Sequence, residues 1–557
     1  MKSHLIINFN RIGDILSTSP LINKIKKDDP TAEIALLVYQ EFEETARLLP
    51  NVDQIHTVDR KKLETFSKSG LFNDFYAVDY LYETLSPLIT SSWESAINIS
   101  NDELSTRIIS FLSENIENIG GIYFGDDQAI KAGNDWAIAY NDILPSRINS
   151  PLHFQDAYNG MAKGEGSQYL PEGLLTEKKY DEETVANFAK IRKTFGNEND
   201  VKLIGIQAKT SQKSKDVPFG TLVQFIQMLQ NQETNWIPVI LSAPTDKDRE
   251  FIHRLNYKFQ NKLISVEAEM KALPSIVKNL DALVTPDTAV KHVGDLMKTP
   301  TLEISLGGAP LFKQGSINPK SVVLTHRIDL RARKPERDRH LLMPEDIIQS
   351  LGYLLKDKAP HIEGGFTLYQ PIYDDLGVRY VSVYGDINAR VEAQRTIERS
   401  YLGKFLVGDA QTENLFPSFQ RLYSDELQKW VEEEKAFIMD ASKALLRTLR
   451  ALGKAKDPNT SPEHMIKSLD QLIAYADSGR VGALPLMVFR FKVENYTGQD
   501  QEENMKFFEA NLFELKAEMQ SLITIFNDFE RIVAKGKISR SNQERIRSRE
   551  HTTTIEQ

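Results

Sequence analysis

An arginine, a glycine and an aspartate, Arg11, Gly13 and Asp14, follow directly on the short apolar run Leu5–Phe9 and precede an apolar, helix-compatible segment opening at Ile15. The run reads as a buried parallel strand, so the three residues fall where a first strand hands over to a helix N-terminus. Ligands of open α/β sheets bind at such carboxyl strand ends, and helix N-termini attract anions. A carboxylate and a guanidinium placed here read as site residues; Asp14 also fits the commoner duty of capping the helix. A second patch, Lys209-Thr210-Ser211-Gln212-Lys213-Ser214-Lys215-Asp216, follows the strand-like Leu203–Gln207. A cationic, hydroxyl-rich loop in that place can hold a diphosphate, with each lysine acting as a point charge; its plain alternative is a solvated loop. A third patch, Asp287-Thr288-Ala289-Val290-Lys291-His292, leaves the strand-like Ala282–Thr285 and enters a helix. Backbone N–H groups and Thr288 could take phosphate there and Asp287 sugar hydroxyls, or Asp287 caps the helix and His292 is a satisfied, half-buried histidine.

Other chemistries lose support. His292 has no second histidine or carboxylate beside it at metal-ligand spacing, which argues against zinc. Asp246-Lys247-Asp248 imitates a metal-binding Asp-x-Asp, but Thr245 and Asp246 opening a helix account for it. No Gly-x-Gly-x-x-Gly follows the first strand and no Gly-Lys-Ser/Thr phosphate loop occurs, so nicotinamide and P-loop readings fall away.

The elements that position these patches form two α/β series. Leu5–Phe9, Ile34–Tyr39, Gln54–Val58 and Ala96–Ile99 alternate with helical patterns, and Gly120, Gly121 and Gly125 mark a further strand and turn. A loop-like stretch from Gly164 to Asp181 reads as a linker. The second series comprises Leu203–Gln207, Trp236–Ser242, Leu263–Val266, Ala282–Thr285, Thr301–Ser305 and Val322–Leu324. The expected architecture is a pair of Rossmann-like doubly wound α/β domains, 1–165 and 166–357, followed by a mixed connecting region 358–422 with a β-rich patch at Tyr380–Tyr384. A mainly α-helical domain, 423–536, and a disordered basic tail, 537–557, complete the chain. In the helical part Ser424 caps a helix reaching Leu452, where Gly453 ends it, and Ser461-Pro462 opens another. Met505, Phe508, Leu512, Leu515, Met519, Leu522, Phe526, Phe529 and Val533 form a 3,4-spaced stripe that suits a bundle core or, alternatively, a homo-oligomer seam.

Composition sets the outer bounds. At 557 residues the chain exceeds one core; its length suggests about three or four domains. A net charge of −10 argues against a general nucleic-acid binder, and zero cysteines exclude disulfides and thiolate metal sites. The chain begins a strand within a few residues with no signal pattern, and no apolar run approaches membrane-spanning length. The expectation is a cytoplasmic protein, with a peripheral place at the inner face of the cytoplasmic membrane as an extension of it.

Together the patches resemble glycosyltransferase family 9, the ADP-heptose:lipopolysaccharide heptosyltransferases. Arg11-Ile12-Gly13-Asp14-Ile15-Leu16-Ser17-Thr18-Ser19-Pro20 and Ile25–Ile34 are similar to its opening motif, and Lys215-Asp216-Val217-Pro218 after Gln207-Ala208-Lys209-Thr210 to its second. Asp287–His292 resembles its third, trailed by Thr299-Pro300 and Leu306-Gly307. The resemblance covers roughly residues 1 to 356. It implies a GT-B fold and inverting, metal-independent transfer of a heptose-like sugar from a nucleotide-diphosphate sugar to a lipopolysaccharide or protein acceptor, with no cofactor. Asp14 would be the general base and Lys215 would stabilise the departing diphosphate. Arg11, Gly13, Thr210, Lys213, Asp287, Thr288, Ala289, Lys291 and His292 would line the donor site. Ala289 stands where the family has glycine, Lys291 where it has an apolar residue and Val217 where it has tryptophan. A non-catalytic scaffold on a degenerate transferase domain, and a nucleotide-sugar epimerase of the same architecture, are the competing readings.

Overall fold

Buried runs of β-branched and leucine residues make the strands, and a computed structural model describes residues 2–68, 70, 73–162, 172–197, 200–207, 209–231, 235–306, 310–326, 339–356, 358–362, 365–385, 387–408, 412–422, 424–456, 461–498 and 500–553. The chain divides into two compact units, Met1–Tyr123 with Leu152–Ile387, and Phe124–Pro151 with Asn388–Gln557. Ala208 and Gly307, and residues 164–171 of the expected linker, lie outside the described residues.

In the first unit, β1 (Ser3–Ile7), β2 (Glu33–Tyr39), β3 (Gln54–Val58), β4 (Ser95–Asn98) and β5 (Ile119–Gly120) form a parallel sheet in the order β3-β2-β1-β4-β5. Leu5, Ile7, Leu37 and Ala96 are buried on one face of it against Leu85, Leu88, Ile109 and Leu112 from flanking helices. Two short strands follow, β6 (Ile122–Phe124) and β7 (Ile130–Ala132). A second sheet contains β8 (Lys202–Ile206), β9 (Trp236–Ser242), β10 (Ile264–Glu267), β11 (Ala282–Pro286), β12 (Thr301–Ser305) and β13 (Val322–His326). Its order is β10-β9-β8-β11-β12-β13, extended by an antiparallel hairpin, β14 (Phe366–Asp374) and β15 (Gly377–Gly385). Both parallel sheets are doubly wound, and in each the order reverses beside the first strand of its series: between β1 and β4, and between β8 and β11. That reversal opens a crevice at the carboxyl ends of the strands. The fold is thus the GT-B-like pair expected, with helices gathered in the C-terminal part.

Several boundaries differ from expectation, each for a physical reason. The second α/β domain does not end at 357. The buried run Phe366–Tyr369 pairs antiparallel with β13 and adds the hairpin to the sheet edge, and the connecting region divides between the two units at Ile387. Gly377 at φ +104° makes the hairpin turn, and a Cβ there would collide with the Asp156 carboxylate, which accepts the Val378 N–H at 3.0 Å. The helix Lys178–Phe195 begins inside the expected linker. Residues 124–151 leave the first domain for the helical unit, where Arg147 donates to the carbonyls of Gly479 (2.6 Å) and Arg480 (2.8 Å).

The helical unit contains Ala389–Val407, Asp425–Ala455, Glu463–Ile473, Leu484–Glu494 and Gln501–Thr553. Ser424 accepts the Leu427 N–H as the expected cap, whereas the helix passes through Gly453 to Ala455, because flanking leucine and alanine outweigh one glycine. Pro462 itself is the N-cap of the next helix, so Ser461 lies one position too early. The stripe from Leu512 to Val533 is buried within the unit, with Phe529 edge-on to Phe416 and Phe419 and Phe526 against Trp430. The last helix continues to Thr553 over most of the stretch expected to be disordered, whose Arg, Lys, Glu and Gln favour helix, and 554–557 lie outside the described residues.

Candidate functional site

The first crevice is built on Asn8, which the sequence hid inside an apolar run. It is fully buried, and its Nδ2 donates to the Asp14 carbonyl (3.1 Å) and the Thr18 hydroxyl (2.9 Å), tying the β1 end to the short helix Ile12–Leu16. The Asp14 carboxylate divides its duties. Its Oδ2 accepts the Arg11 N–H at 3.2 Å, a cap for the helix, and its Oδ1 accepts Gln314 Nε2 at 3.1 Å. Burial raises the Asp14 carboxyl above its ordinary value; the Arg11 N–H opposes this, and the negative charge of Asp287 adds to it. The Arg11 side chain is exposed.

The second crevice lies at the ends of β8 and β11. Gln207 bridges the two, its Oε1 accepting from Thr285 (2.8 Å) and Thr288 (2.6 Å). Thr288 is the N-cap of the helix Ala289–Leu296, but its hydroxyl caps nothing there, being turned to Gln207. Ala289 is the first helical residue, half-buried. In the loop after β8, Thr210 N–H and Oγ1 both donate to Asp216 Oδ1 (2.7 and 2.9 Å), which shapes the turn carrying Lys213 and Lys215. Lys213 is exposed, whereas the Lys215 side chain, 16% exposed, places Nζ 2.6 Å from Asp287 Oδ2.

Lys291, expected to line the donor site, is completely buried. Its Nζ lies 3.5 Å from Asp287 Oδ1 and donates to the Gln314 carbonyl. Burial alone would raise the Asp287 carboxyl, but the ammonium groups of Lys291 and Lys215 overcome it and hold it below the ordinary carboxylate value. Burial likewise pulls the Lys291 ammonium down, and Glu303, Asp287 and Asp295 outweigh it. These buried acids carry the cost: desolvation pushes Asp295 up to about 6 and Glu303 up to about 7. Each is hydrogen-bonded, Glu303 Oε2 accepting Ser316 N–H at 2.6 Å and Asp295 Oδ1 accepting Ser316 Oγ.

His292 joins the two halves of this unit. Its Nδ1 is 3.2 Å from Ser17 Oγ, and its ring lies on Gly13, where a Cβ would sit 2.8 Å from Cδ2. Ser17 Oγ already donates to the Gly13 carbonyl at 2.9 Å, which assigns the proton to His292 Nδ1. Burial, reinforced by the Lys291 ammonium, holds the His292 pKa well below its usual value, so the ring is neutral. Opposed across Gly13 and Gln314 are thus a carboxylate of raised pKa and a Lys-Asp-Lys chain. Such an array can take a proton on one side and hold an anionic leaving group on the other. Asn8, Glu303 and Gln314 were missed in sequence, the first two inside strand runs and the third on a segment with no motif of its own, while Gln207 entered only as the end of a strand and the head of the second motif. Among the described residues no cluster of three or more acidic, histidine or cysteine side chains has metal-binding form.

Residues 164–325 match the family model for glycosyltransferase family 9 (heptosyltransferase), which takes in the second and third patches but not Asp14. No curated protein matches the chain. Among solved structures, the glycosyl transferase family 9 protein of Veillonella parvula shares 16% identity over 64% of this chain and 98% of its own, with a TM-score of 0.46. The E. coli ADP-heptose LPS heptosyltransferase II shares 15% over 64% and 99%, at 0.45. E. coli heptosyltransferase WaaC with ADP shares 12% over 63% and 99%, also at 0.45. Residues 164–325 are thus similar to a glycosyltransferase family 9 (heptosyltransferase) domain.

Proposed function

We propose that this protein is an inverting glycosyltransferase that moves a heptose-like sugar from a nucleotide-diphosphate sugar to a hydroxyl of a lipopolysaccharide or protein acceptor. The observation that carries the reading is the opposition of Asp14 to the Lys215–Asp287 pair, bridged by Gln314 and Lys291. Asp14 takes the acceptor O–H proton as that oxygen attacks the anomeric carbon. The bond from this carbon to the phosphate oxygen breaks, and its electron pair leaves on the nucleoside diphosphate. Lys215, with Lys213 and the Thr288 helix start nearby, neutralises the charge that grows there, without a metal ion. Asp287 holds donor sugar hydroxyls. The raised pKa of Asp14 suits a base working near neutrality, and the neutral His292 adds no competing charge.

The proposed setting is the cytoplasm, at the inner face of its membrane when the acceptor is lipid-borne; no described helix is long and apolar enough to cross a membrane. A panel of nucleotide-diphosphate sugars, offered to the full chain with a heptose-deficient lipopolysaccharide core, tests the reading. Release of nucleoside diphosphate with inversion at the transferred sugar is expected. Failure of every donor to bind more tightly than about millimolar would remove it.

A further inference from the structure

We propose that Lys291 is a positioning residue whose buried ammonium keeps Asp287 ionised and in place when Lys215 turns from it to a bound nucleoside diphosphate. The inference rests on the donor-side reading above and concerns a residue that stands where the family resemblance expects an apolar one.

The geometry gives the two lysines different freedom. Lys215 sits on a turn in a loop, is partly exposed, and bonds Asp287 Oδ2 at 2.6 Å. Lys291 sits inside the helix Ala289–Leu296, is wholly buried, donates to the Gln314 carbonyl and is favoured as a cation by the charges of Glu303 and Asp295. An incoming diphosphate can recruit only the first. Without Lys291 that move would strand a carboxylate in a poorly solvated place, which strongly disfavours the ionised form. With it, Asp287 Oδ1 retains a cation 3.5 Å away, and Lys215 serves two anions in turn. The groups facing Asp287 are Lys215 from the β8 loop, Lys291 and His292 from its own helix, Asp14 from the Ile12–Leu16 helix and Glu303 from β12. Of these only Lys215 and Lys291 touch it with positive charge, since His292 is neutral. The same ammonium fixes Gln314, whose side chain donates to Asp14, so donor and acceptor sides share one fixed point.

The test is calorimetric titration of the full chain with ADP in buffers of different ionisation enthalpy, for wild type, Lys291→Met and Lys291→Met with Glu303→Gln. The double variant removes both buried charges yet leaves an acceptor for the Ser316 N–H, so it keeps the question open to test where the single variant does not fold. Either variant should bind ADP about 5- to 150-fold more weakly. Binding should also take up one proton that wild type does not, so affinity falls about tenfold per pH unit where Asp287 must be protonated. A variant that binds more weakly with no added proton uptake, or one that binds as wild type does, overturns the inference while leaving the proposed activity standing. A wild-type chain that binds no nucleoside diphosphate overturns both.

Discussion

Substituting Gly13 by alanine tests how tightly the two α/β halves of the first unit meet. Gly13 lies in a helix and is not among the glycines of positive φ, so the backbone itself tolerates alanine. The added Cβ would sit 2.8 Å from His292 Cδ2 and 2.9 Å from Nε2, against about 3.5–4.0 Å for an unstrained contact. The ring cannot simply swing away, because Nδ1 is bound to Ser17 and the side chain is hemmed by the neighbouring half. Overpacking of this kind costs about 1–3 kcal/mol, while alanine gains at most about 1 kcal/mol over glycine in a helix. The net loss is then about 0–3 kcal/mol by these two estimates. In a His292→Ala background the clash vanishes and the same change becomes neutral or stabilising by up to about 1 kcal/mol. The double-mutant cycle should therefore show a coupling of about 1–3 kcal/mol. Native-state hydrogen exchange of amides in β1 and β11 reads it without requiring the whole chain to unfold in one step. An equal effect of Gly13→Ala in both backgrounds would refute the packing of His292 on Gly13.

Three further outcomes follow from the same geometry. Glu303, an acid whose folded pKa is raised to about 7, makes the native state bind more protons than the unfolded one, so its contribution to stability falls as pH rises from the ordinary glutamate range to about 7. Glu303→Gln should flatten that part of the stability–pH profile of the first unit, and an unchanged slope would reject the assignment. Lys291, with its pKa raised, contributes stability at lower pH that is lost only in strongly alkaline solution, outside that window. Phe529→Ala in the helical unit removes a fully buried ring touching Phe416 and Phe419 and should cost about 3–5 kcal/mol, read as lost exchange protection in Asp425–Ala455. Ser17→Ala should cost about 0.5–1.5 kcal/mol and release the His292 tautomer, visible as a changed imidazole nitrogen shift.

Most of what positions the site was legible because it is local. Parallel strands buried on both faces read as apolar runs, and β3, β9 and β12 fall where their composition places them. Arg11, Gly13, Asp14, Lys215 and Asp287 stand out as polar residues at the ends of such runs. What stayed hidden depends on contacts between distant segments. Asn8, Glu303 and Asp295 look like defects in apolar stretches until the fold supplies the Thr18 hydroxyl, the Ser316 N–H and the Ser316 hydroxyl that satisfy them. The burial of Lys291 could not be read locally, because buried lysines are rare and the carboxylates of Glu303, Asp287 and Asp295 that favour its charge are brought near it by the fold. Gln314 carries no motif; its place beside Asp14 follows from the apposition of two sheets. Residues 124–151 were assigned by proximity in sequence, whereas Arg147 binds carbonyls more than three hundred residues away.

The central claim is that Asp14 is the base facing a diphosphate-holding site, and Asp14→Asn tests it most directly. Asparagine keeps one acceptor oxygen, for the Arg11 N–H, presents an NH2 to which Gln314 can turn its amide oxygen, and cannot take a proton. With a donor that wild type turns over, single-turnover transfer should fall about 10²–10⁴-fold while the affinity for ADP stays within about a factor of three. Transfer at the wild-type rate, or loss of ADP binding in step with transfer, would contradict the account.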